Sequence, residues 1–142
     1  MAGLQLMNPK ETLKKARTVA VIGCSANPYR TSNYAANYLK EKGYRIIPVN
    51  PTEREILGEK CYASISDIPI DIPVDVMNIF RNKRYTAGVI KELSAWNKKS
   101  GQNPVFWTQL DVSSAEAEVI AEKNNIPYVR NVCIMVELDR LR

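Results

Sequence analysis

Histidine is missing altogether from the 142 residues of the sequence. Without an imidazole, the chain supplies no histidine-containing catalytic triad, no histidine metal ligand and no imidazole acid–base catalysis. No other pair of residues stands out as a general acid with a matching base. The missing histidine therefore removes much of ordinary enzyme chemistry from consideration.

Cysteine and long apolar runs are also scarce. Cys24, Cys61 and Cys133 make an odd number and share no close spacing, which argues against a disulfide framework and against a zinc cluster. No apolar run is long enough to span a membrane, and Met1 to Gln5 lacks the basic start and apolar core of a secretion signal. We therefore expect reduced thiols and a cytoplasmic protein.

The charge balance is positive, with 20 lysines and arginines against 15 aspartates and glutamates. A basic chain favours anionic partners, and nucleic acids and phosphorylated small molecules both meet that description. The lysine-rich start, with Lys10, Lys14 and Lys15, motivates nucleic-acid binding. The basic residues are nevertheless spread along the chain without a recognition motif, so we rank that function last.

Short apolar segments alternate with amphipathic ones, which is typical of strands alternating with helices. The predicted strands are Thr18–Gly23, Arg45–Val49, Val74–Phe80, Val105–Gln109 and Pro127–Arg130. Crossovers of this length return each strand parallel to its neighbours. We therefore predict an α/β, Rossmann-like, doubly wound parallel sheet of about five strands in a three-layer αβα arrangement. Residues 1–142 are expected to form a single domain around one core.

Capping and stop signals mark the predicted helices. A helix opens at Asn8-Pro9, and a second one runs from Ser32 to Gly43. Later helices are predicted along Tyr85–Trp96, after a capping box of Ser113 with Glu116, and from Ile134 onward. The stretch between Asn50 and Pro73 shows little helical pattern, so we predict an irregular connection there.

Some conspicuous residues have a structural interpretation. Trp96 shares a helical stripe with Leu93, which favours a place in the core over a base-stacking platform. Asp67, Asp71 and Asp75 lie around prolines and lack the spacing of metal ligands, so we interpret them as turn residues.

The first strand breaks at Gly23 and passes into a helix, at the sheet edge where such folds bind ligands. A glycine lets the backbone approach a ligand, and free amides at a helix start favour phosphate. Polar side chains follow the glycine closely, namely Ser25, Arg30, Thr31 and Ser32. The alternative is that Gly23 only permits a turn and Ser32 only caps the helix. The local pattern leaves both interpretations open.

The common nucleotide motifs are absent from this break. The chain has no G-x-G-x-x-G motif, and neutral Asn50 stands near the end of the second strand, where NAD-binding proteins carry an acid that holds the ribose. Asn50 lies beside Arg45 and Arg54, which leaves room for an additional phosphate. The phosphate-binding motif G-x-x-x-x-G-K-[ST] is also missing. NAD binding and nucleoside triphosphate hydrolysis are therefore disfavoured.

Several short motifs occur in a fixed order through nearly the whole chain. They are VAVIGCSANP from Val19, SNY from Ser32, GYRIIPVNP from Gly43, ILGEKCY from Ile56, Ile65–Pro69, Val74–Arg81, WTQ from Trp107 and NVC from Asn131. In this combination the chain resembles the small stand-alone CoA-binding domain proteins. These are similar to the CoA-binding part of the succinyl-CoA synthetase alpha subunit. The resemblance implies a Rossmann-like fold with coenzyme A as ligand, and most such proteins have no established reaction.

The resemblance also implies roles for the matching residues. The CoA pyrophosphate would be surrounded by Gly23, Ser25, Asn27, Arg30 and Ser32, and the adenosine would be flanked by Val49, Asn50 and Pro51. The third-strand side of the site would be closed by Phe80 and Arg81, and the pantetheine path would be lined by Tyr62 and Gln109. The sequence departs from the family pattern at two positions, one just after the motif that begins at Trp107 and one within the motif that begins at Asn131. Asp111 replaces a usual glycine and would repel a phosphate if it faced the pocket, and Val132 replaces a usual arginine.

We therefore expect a binding protein for CoA or an acyl-CoA that catalyses no reaction by itself. The phosphohistidine chemistry of the related synthetase is excluded because the chain has no histidine. The alternative is an enzyme subunit that uses CoA or a nucleotide and takes its catalytic groups from a partner. The oligomeric state is left open, a homo-oligomer included, and no membrane partner is expected.

Cys24 directly follows the loop glycine, and this position allows two interpretations. Amide dipoles there would lower the pKa of its thiol and allow a mixed disulfide with CoA. Free cysteines more often behave as small buried hydrophobic residues, and we favour that interpretation.

Overall fold

Parallel strands form the central sheet of the computed structural model, which describes residues 3–141. Residues 1, 2 and 142 of the predicted domain lie outside this range. The strands of the central sheet are Thr18–Ile22 (β1), Arg45–Val49 (β2), Val76–Ile79 (β5), Val105–Thr108 (β6) and Tyr128–Val129 (β7). Two further strands, Glu55–Ile56 (β3) and Glu59–Lys60 (β4), pair with each other. The sheet order is β2-β1-β5-β6-β7, and each neighbouring pair is parallel. The predicted α/β class with about five parallel strands is confirmed.

Helices cover both faces of this sheet. They are Pro9–Lys15 (α1), Thr31–Glu41 (α2), Thr86–Ser100 (α3), Ala115–Lys123 (α4) and Ile134–Asp139 (α5). One apolar cluster joins the sheet to α1, α2 and α5, and the other joins it to α3 and α4. This is the predicted three-layer arrangement. Among residues 3–141, none of the helices combines the length and apolar character needed to cross a membrane.

Burial on both faces explains why the strands read as continuous apolar runs. Every residue of β1 is buried. In β6, Phe106 belongs to the cluster under α3, whereas the next residue, Trp107, belongs to the cluster under α2. Trp96 is 2% exposed and its indole N–H donates to the carbonyl of Ile68 at 2.9 Å. The prediction that Trp96 lies in the core is therefore correct.

The connection predicted to be irregular contains a small hairpin instead. Strands β3 and β4 pair antiparallel across Leu57 and Gly58, both of which have positive φ, at 55° and 75°. Lys40 on α2 holds the hairpin, because its ammonium donates to the Leu57 carbonyl at 2.7 Å and pairs with Glu59 at 2.8 Å. A leucine at positive φ is uncommon, so the sequence did not indicate this turn.

The predicted capping box before α4 is wrong by one residue. Ser114 is the N-cap, and its hydroxyl accepts from the amide of Ala117 at 3.1 Å. Ser113 is buried, and its hydroxyl donates to Glu118 at 2.6 Å and lies 2.6 Å from the hydroxyl of Tyr128. Ser113 does not cap the helix because this buried network already uses its hydroxyl.

The chain leaves β1 through a tight passage at Gly23. Its φ is 85°, and its amide and that of Cys24 both donate to the carbonyl of Val49. A Cβ atom on Gly23 would lie 2.5 Å from the carbonyl oxygen of Phe80 and 2.9 Å from Cγ of Arg81. Both the backbone conformation and the lack of space therefore require glycine here.

We predict that Ser114→Ala lowers the free energy of unfolding by about 1 kcal/mol, because it leaves the first turn of α4 without its cap. Ser114→Asp keeps an acceptor at the positive end of the helix and should remain close to wild type. Urea denaturation of the three proteins measures both effects. Equal stability of Ser114→Ala and wild type would contradict the assignment of the cap.

We predict that Gly23→Ala destabilises the protein more than Gly43→Ala. Gly43 also has positive φ, at 96°, but a Cβ atom there would have nothing within 4 Å. Gly43→Ala should therefore cost only the left-handed strain of about 1–2 kcal/mol. Gly23→Ala should incur the same strain and lose a further amount of about 1–3 kcal/mol of stability, because the new Cβ atom would clash with the carbonyl oxygen of Phe80. Equal losses in urea denaturation would show that the approach of the two backbones is unimportant.

Candidate functional site

A cleft of about 520 Å³ opens at the carboxyl ends of β1, β2 and β5. We call it the first pocket. It brings together seven residues singled out from the sequence, namely Gly23, Ser25, Arg30, Thr31, Ser32, Asn50 and Phe80. Tyr29 completes its lining. Tyr29 is 95% exposed, and no sequence pattern distinguishes it from an ordinary surface tyrosine.

The loop between β1 and α2 is fixed by its own side chains. The hydroxyl of Ser32 accepts from the amide of Ser25 at 2.9 Å, and the hydroxyl of Ser25 accepts from the amide of Asn27 at 3.0 Å. The side chain of Asn27 accepts in turn from the amide of Tyr29, and that of Asn33 donates to the Ser25 carbonyl at 2.8 Å. The loop is thus shaped before any ligand arrives. Ser32 lies inside α2 and holds the loop instead of capping the helix, so the interpretation in which it only caps is wrong.

The start of α2 faces the first pocket with free amides. Arg30 is the N-cap residue but makes no side-chain cap, and no acid stands in the first turn. Within residues 3–141, the backbone amides of Thr31, Ser32 and Asn33 have no hydrogen-bond acceptor. Neither does the Arg30 guanidinium take part in an ion pair there. The helix dipole and Arg30 together make the pocket suited to an anion.

A second pocket of about 360 Å³ adjoins the first and shares Gly23 and Asn50 with it. It contains Val49, Pro51 and Arg81, which the resemblance had singled out. Further lining comes from residues that the sequence did not indicate, namely Ala63, Ser64, Val89 and Glu92. Most of this wall is apolar, so the second pocket suits a flat, weakly polar group better than a phosphate.

Asn50 stands between the two pockets and is fully engaged. Its side-chain amide donates to the carbonyl of Cys24 at 2.9 Å, and its oxygen accepts from the amide and hydroxyl of Thr52 at 2.9 Å. The place that a carboxylate occupies in NAD-binding folds is thus filled by a neutral, structural side chain. Arg45, considered above as a neighbour of Asn50, begins β2 and therefore lies at the opposite end of the strand.

Two residues predicted for the pantetheine path do not line either pocket. Tyr62 bridges to Val49 at the edge of the sheet, and its ring lies under the ammonium of Lys60 at 5.3 Å. Gln109 is buried, and its side-chain oxygen accepts from Asn78 and from the amide of Ile134, both at 3.0 Å. Gln109 thus connects the centre of the sheet to α5.

The two departures from the family pattern also lie outside both linings. Asp111 has φ of 58°, and the usual glycine would adopt this conformation more easily. Val132 donates its amide to the carbonyl of Thr108. The repulsion considered for Asp111 therefore does not arise within these two pockets.

Cys24 is completely buried beneath the loop. Burial raises the pKa of its thiol to about 12, with a smaller contribution from Cys61. The interpretation in which amide dipoles lower this pKa is therefore wrong, because loss of solvent outweighs them. Cys24 instead fills the end of β1, as the favoured interpretation holds.

Asp75 and Asp67, interpreted above as turn residues, both accept hydrogen bonds. One oxygen of Asp75 accepts from the amides of Arg17 and Thr18, at 2.9 and 3.0 Å. Asp67 accepts from the hydroxyl of Ser64 at 3.0 Å. Asp75 thus joins the start of β1 to the segment before β5, whereas the Asp67 contact stays within one turn.

Comparison with known proteins identifies the family. A family profile described as the CoA binding domain matches residues 17–139. The chain is 35% identical to YneT of Bacillus subtilis, an uncharacterized protein, over 89% of each chain. It is 36% identical to an ADP-forming acetate–CoA ligase of Methanocaldococcus jannaschii over 83% of this chain but only 17% of the ligase. The structure of a Thermus thermophilus protein, cell-free ID.343, superposes with a TM-score of 0.83 at 34% identity, covering 96% of this chain and all of that one (100%). The chain belongs to the CoA binding domain family.

Proposed function

We propose that the protein binds CoA or an acyl-CoA in the two adjoining pockets. The observation that carries the proposal is the difference between the two pockets, which meet at Gly23 and Asn50. The first pocket offers free backbone amides, and the second pocket offers an apolar wall. A CoA molecule has the same sequence of groups, a diphosphate joined to a nucleoside. Membership of the CoA binding domain family supports the assignment.

The diphosphate belongs in the first pocket. The free amides at the start of α2 and the Arg30 guanidinium are donors with no competing carboxylate in the lining. Gly23 presents backbone without a side chain, so an oxygen of the diphosphate can approach closely. Ser25, Asn27 and Ser32 contribute by fixing the loop, which reduces the entropy that binding must overcome.

The adenosine belongs in the second pocket. Val49, Pro51 and Val89 provide apolar surface for the base. Phe80 lines the first pocket and Arg81 lines the second, so the end of β5 closes the third-strand side of the site. Tyr62 and Gln109 act as supports in this proposal, because neither faces the pockets and both hold neighbouring backbone.

The chain alone is assigned no reaction. Its buried thiol at Cys24 is neither ionised nor accessible, so covalent attachment of CoA has no nucleophile in the first pocket. The proposal places binding in the cytoplasm, where the three unpaired cysteines would stay reduced.

A second candidate is a subunit of a CoA-dependent enzyme. It is motivated by the ligase of Methanocaldococcus jannaschii, in which the matched segment is 17% of a longer protein. A partner would then supply the catalytic groups. Co-purification of a second chain in constant proportion would favour this candidate over a separate binding protein.

Cys24 should resist alkylation in the folded protein. With a thiol pKa of about 12, almost no thiolate is present at pH 8, and burial blocks access. Iodoacetamide at pH 8 should therefore label the half-buried Cys133 first, as measured by peptide mass spectrometry. In denaturant all three cysteines should react alike. Rapid labelling of Cys24, or a mixed disulfide there after incubation with CoA disulfide, would contradict the assignment.

Arg30→Ala should weaken CoA binding by about 1.5–3 kcal/mol, the usual value of a hydrogen bond to a charged group. Arg140→Ala is the control, because Arg140 pairs with Glu137 near the end of α5 and lies outside both linings. Isothermal titration calorimetry measures both variants. Unchanged affinity in Arg30→Ala would place the diphosphate elsewhere. No binding of CoA to the wild type at millimolar concentration would reject the proposed function.

A further inference from the structure

Arg81, which lines the second pocket, shares one tyrosine ring with Arg84. The guanidinium carbon of Arg81 lies 4.4 Å from the centroid of the Tyr85 ring, and that of Arg84 lies 4.9 Å from it. The two charges are therefore within one Debye length of each other, which is about 10 Å at 0.1 M salt. Bringing like charges together costs free energy, so the arrangement needs a compensating interaction.

No carboxylate compensates these arginines within residues 3–141. Neither Arg81 nor Arg84 takes part in an ion pair, and neither guanidinium donates a hydrogen bond to another described residue. Stacking on a tyrosine uses the face of a guanidinium and leaves the N–H donors at its edge free. Two sets of planar donors are thus held in place without an acceptor.

The position of Arg81 connects this pair to the site. Its side chain lines the second pocket, and its Cγ lies 2.9 Å from where a Cβ atom of Gly23 would be. Arg81 therefore borders the junction at which the two pockets meet. A ligand with its diphosphate in the first pocket and its base in the second must place its ribose at that junction.

The lining of the second pocket contains one acidic residue, Glu92, whose carboxylate accepts a hydrogen bond outside the pocket. One oxygen of Glu92 accepts from the amide of Ile65 at 3.1 Å, which directs that carboxylate towards the turn at Ile65–Asp67. Glu92 lies seven positions after Tyr85, or about 10 Å along α3 at 1.5 Å per residue. Among residues 3–141, Glu92 forms no ion pair with either arginine.

We infer that Arg81 and Arg84, positioned by Tyr85, bind a phosphomonoester on the ribose of the ligand. The inference rests on the proposed function and adds the part of the ligand that the chain distinguishes. A carboxylate at Asn50 would have required unmodified ribose hydroxyls, and the neutral amide there removes that requirement. The site accordingly selects CoA, which carries a ribose phosphate, over dephospho-CoA.

An anion at this place has a second conceivable source, a carboxylate at the far end of an acyl chain. The second pocket argues for the ribose, because its apolar wall of Val49, Pro51 and Val89 suits a base. The two sources give different results when ligands are compared in pairs. CoA against dephospho-CoA tests the ribose phosphate, and succinyl-CoA against acetyl-CoA tests the acyl carboxylate.

Calorimetry should show that the wild type binds CoA at least about tenfold more tightly than dephospho-CoA, the factor expected for one charge-assisted contact. Arg84→Gln should lower this ratio at least about threefold, and the double variant with Arg81→Gln should bring it close to one. Lys99→Gln removes the same charge near the other end of α3 and should leave the ratio unchanged.

A pair of substitutions at Tyr85 tests positioning without any change of charge. Tyr85→Phe keeps the ring and should keep the preference for CoA, whereas Tyr85→Leu should reduce it. Because Tyr85 is 41% exposed, both variants are expected to fold, and thermal unfolding checks this.

Equal binding of CoA and dephospho-CoA by the wild type would overturn the inference while leaving the proposed function intact. A ratio that persists in the double variant would also overturn it. The same holds if Arg84→Gln altered only the preference between succinyl-CoA and acetyl-CoA. Failure of the wild type to bind either CoA or dephospho-CoA would reject the proposed function itself.

Discussion

The contact between two backbones at Gly23 determines the shape of the site. Where β1 ends, the position of a missing Cβ atom lies 2.5 Å from the carbonyl oxygen of Phe80. The glycine lets the chain turn between β2 and β5 and enter α2 with the helix start directed at the cleft. It also forms part of both pockets. A side chain at this point would both strain the backbone and occupy the junction.

The second feature of the site is that its polar side chains mostly serve the loop. The side chains of Ser25, Asn27 and Ser32 each accept a hydrogen bond from a backbone amide of the loop. The side chain of Asn50 joins the end of β2 to the same loop by donating to the carbonyl of Cys24. The groups left for a ligand in the first pocket are therefore chiefly the backbone amides at the start of α2, the Arg30 guanidinium and the hydroxyls of Tyr29 and Thr31. In the proposed function, such a site would recognise phosphate through donors that the fold holds in place before the ligand binds.

Elements with strong local signals were predictable from the sequence. Buried strands such as β1 appear as short valine- and isoleucine-rich runs, and the Asn8 cap with Pro9 marks α1. Most residues that line the first pocket could be found because they follow β1 directly and lie close in sequence, whereas Asn50 and Phe80 were indicated by the end of the second strand and by the family resemblance. The ends of the predicted strands differ from the observed ends by at most two residues, because the predicted segments extend slightly beyond the residues that pair between the strands.

Features that depend on contacts distant in sequence could not be predicted. The hairpin at Leu57 is stabilised by Lys40 from another helix. Ser113 loses its expected cap role to Tyr128 and Glu118, and Gln109 is drawn into the core by Asn78 and α5. The resemblance indicates Arg81, but no sequence pattern shows that Arg84 shares the Tyr85 ring with it.

A crystal structure of the protein with CoA tests the central claim most directly. The account predicts the diphosphate within hydrogen-bonding distance, about 3 Å, of the amides at the start of α2, with the adenine against Val49 and Pro51. Density for CoA at another surface, with the first pocket left to solvent or filled by protein side chains, would contradict it.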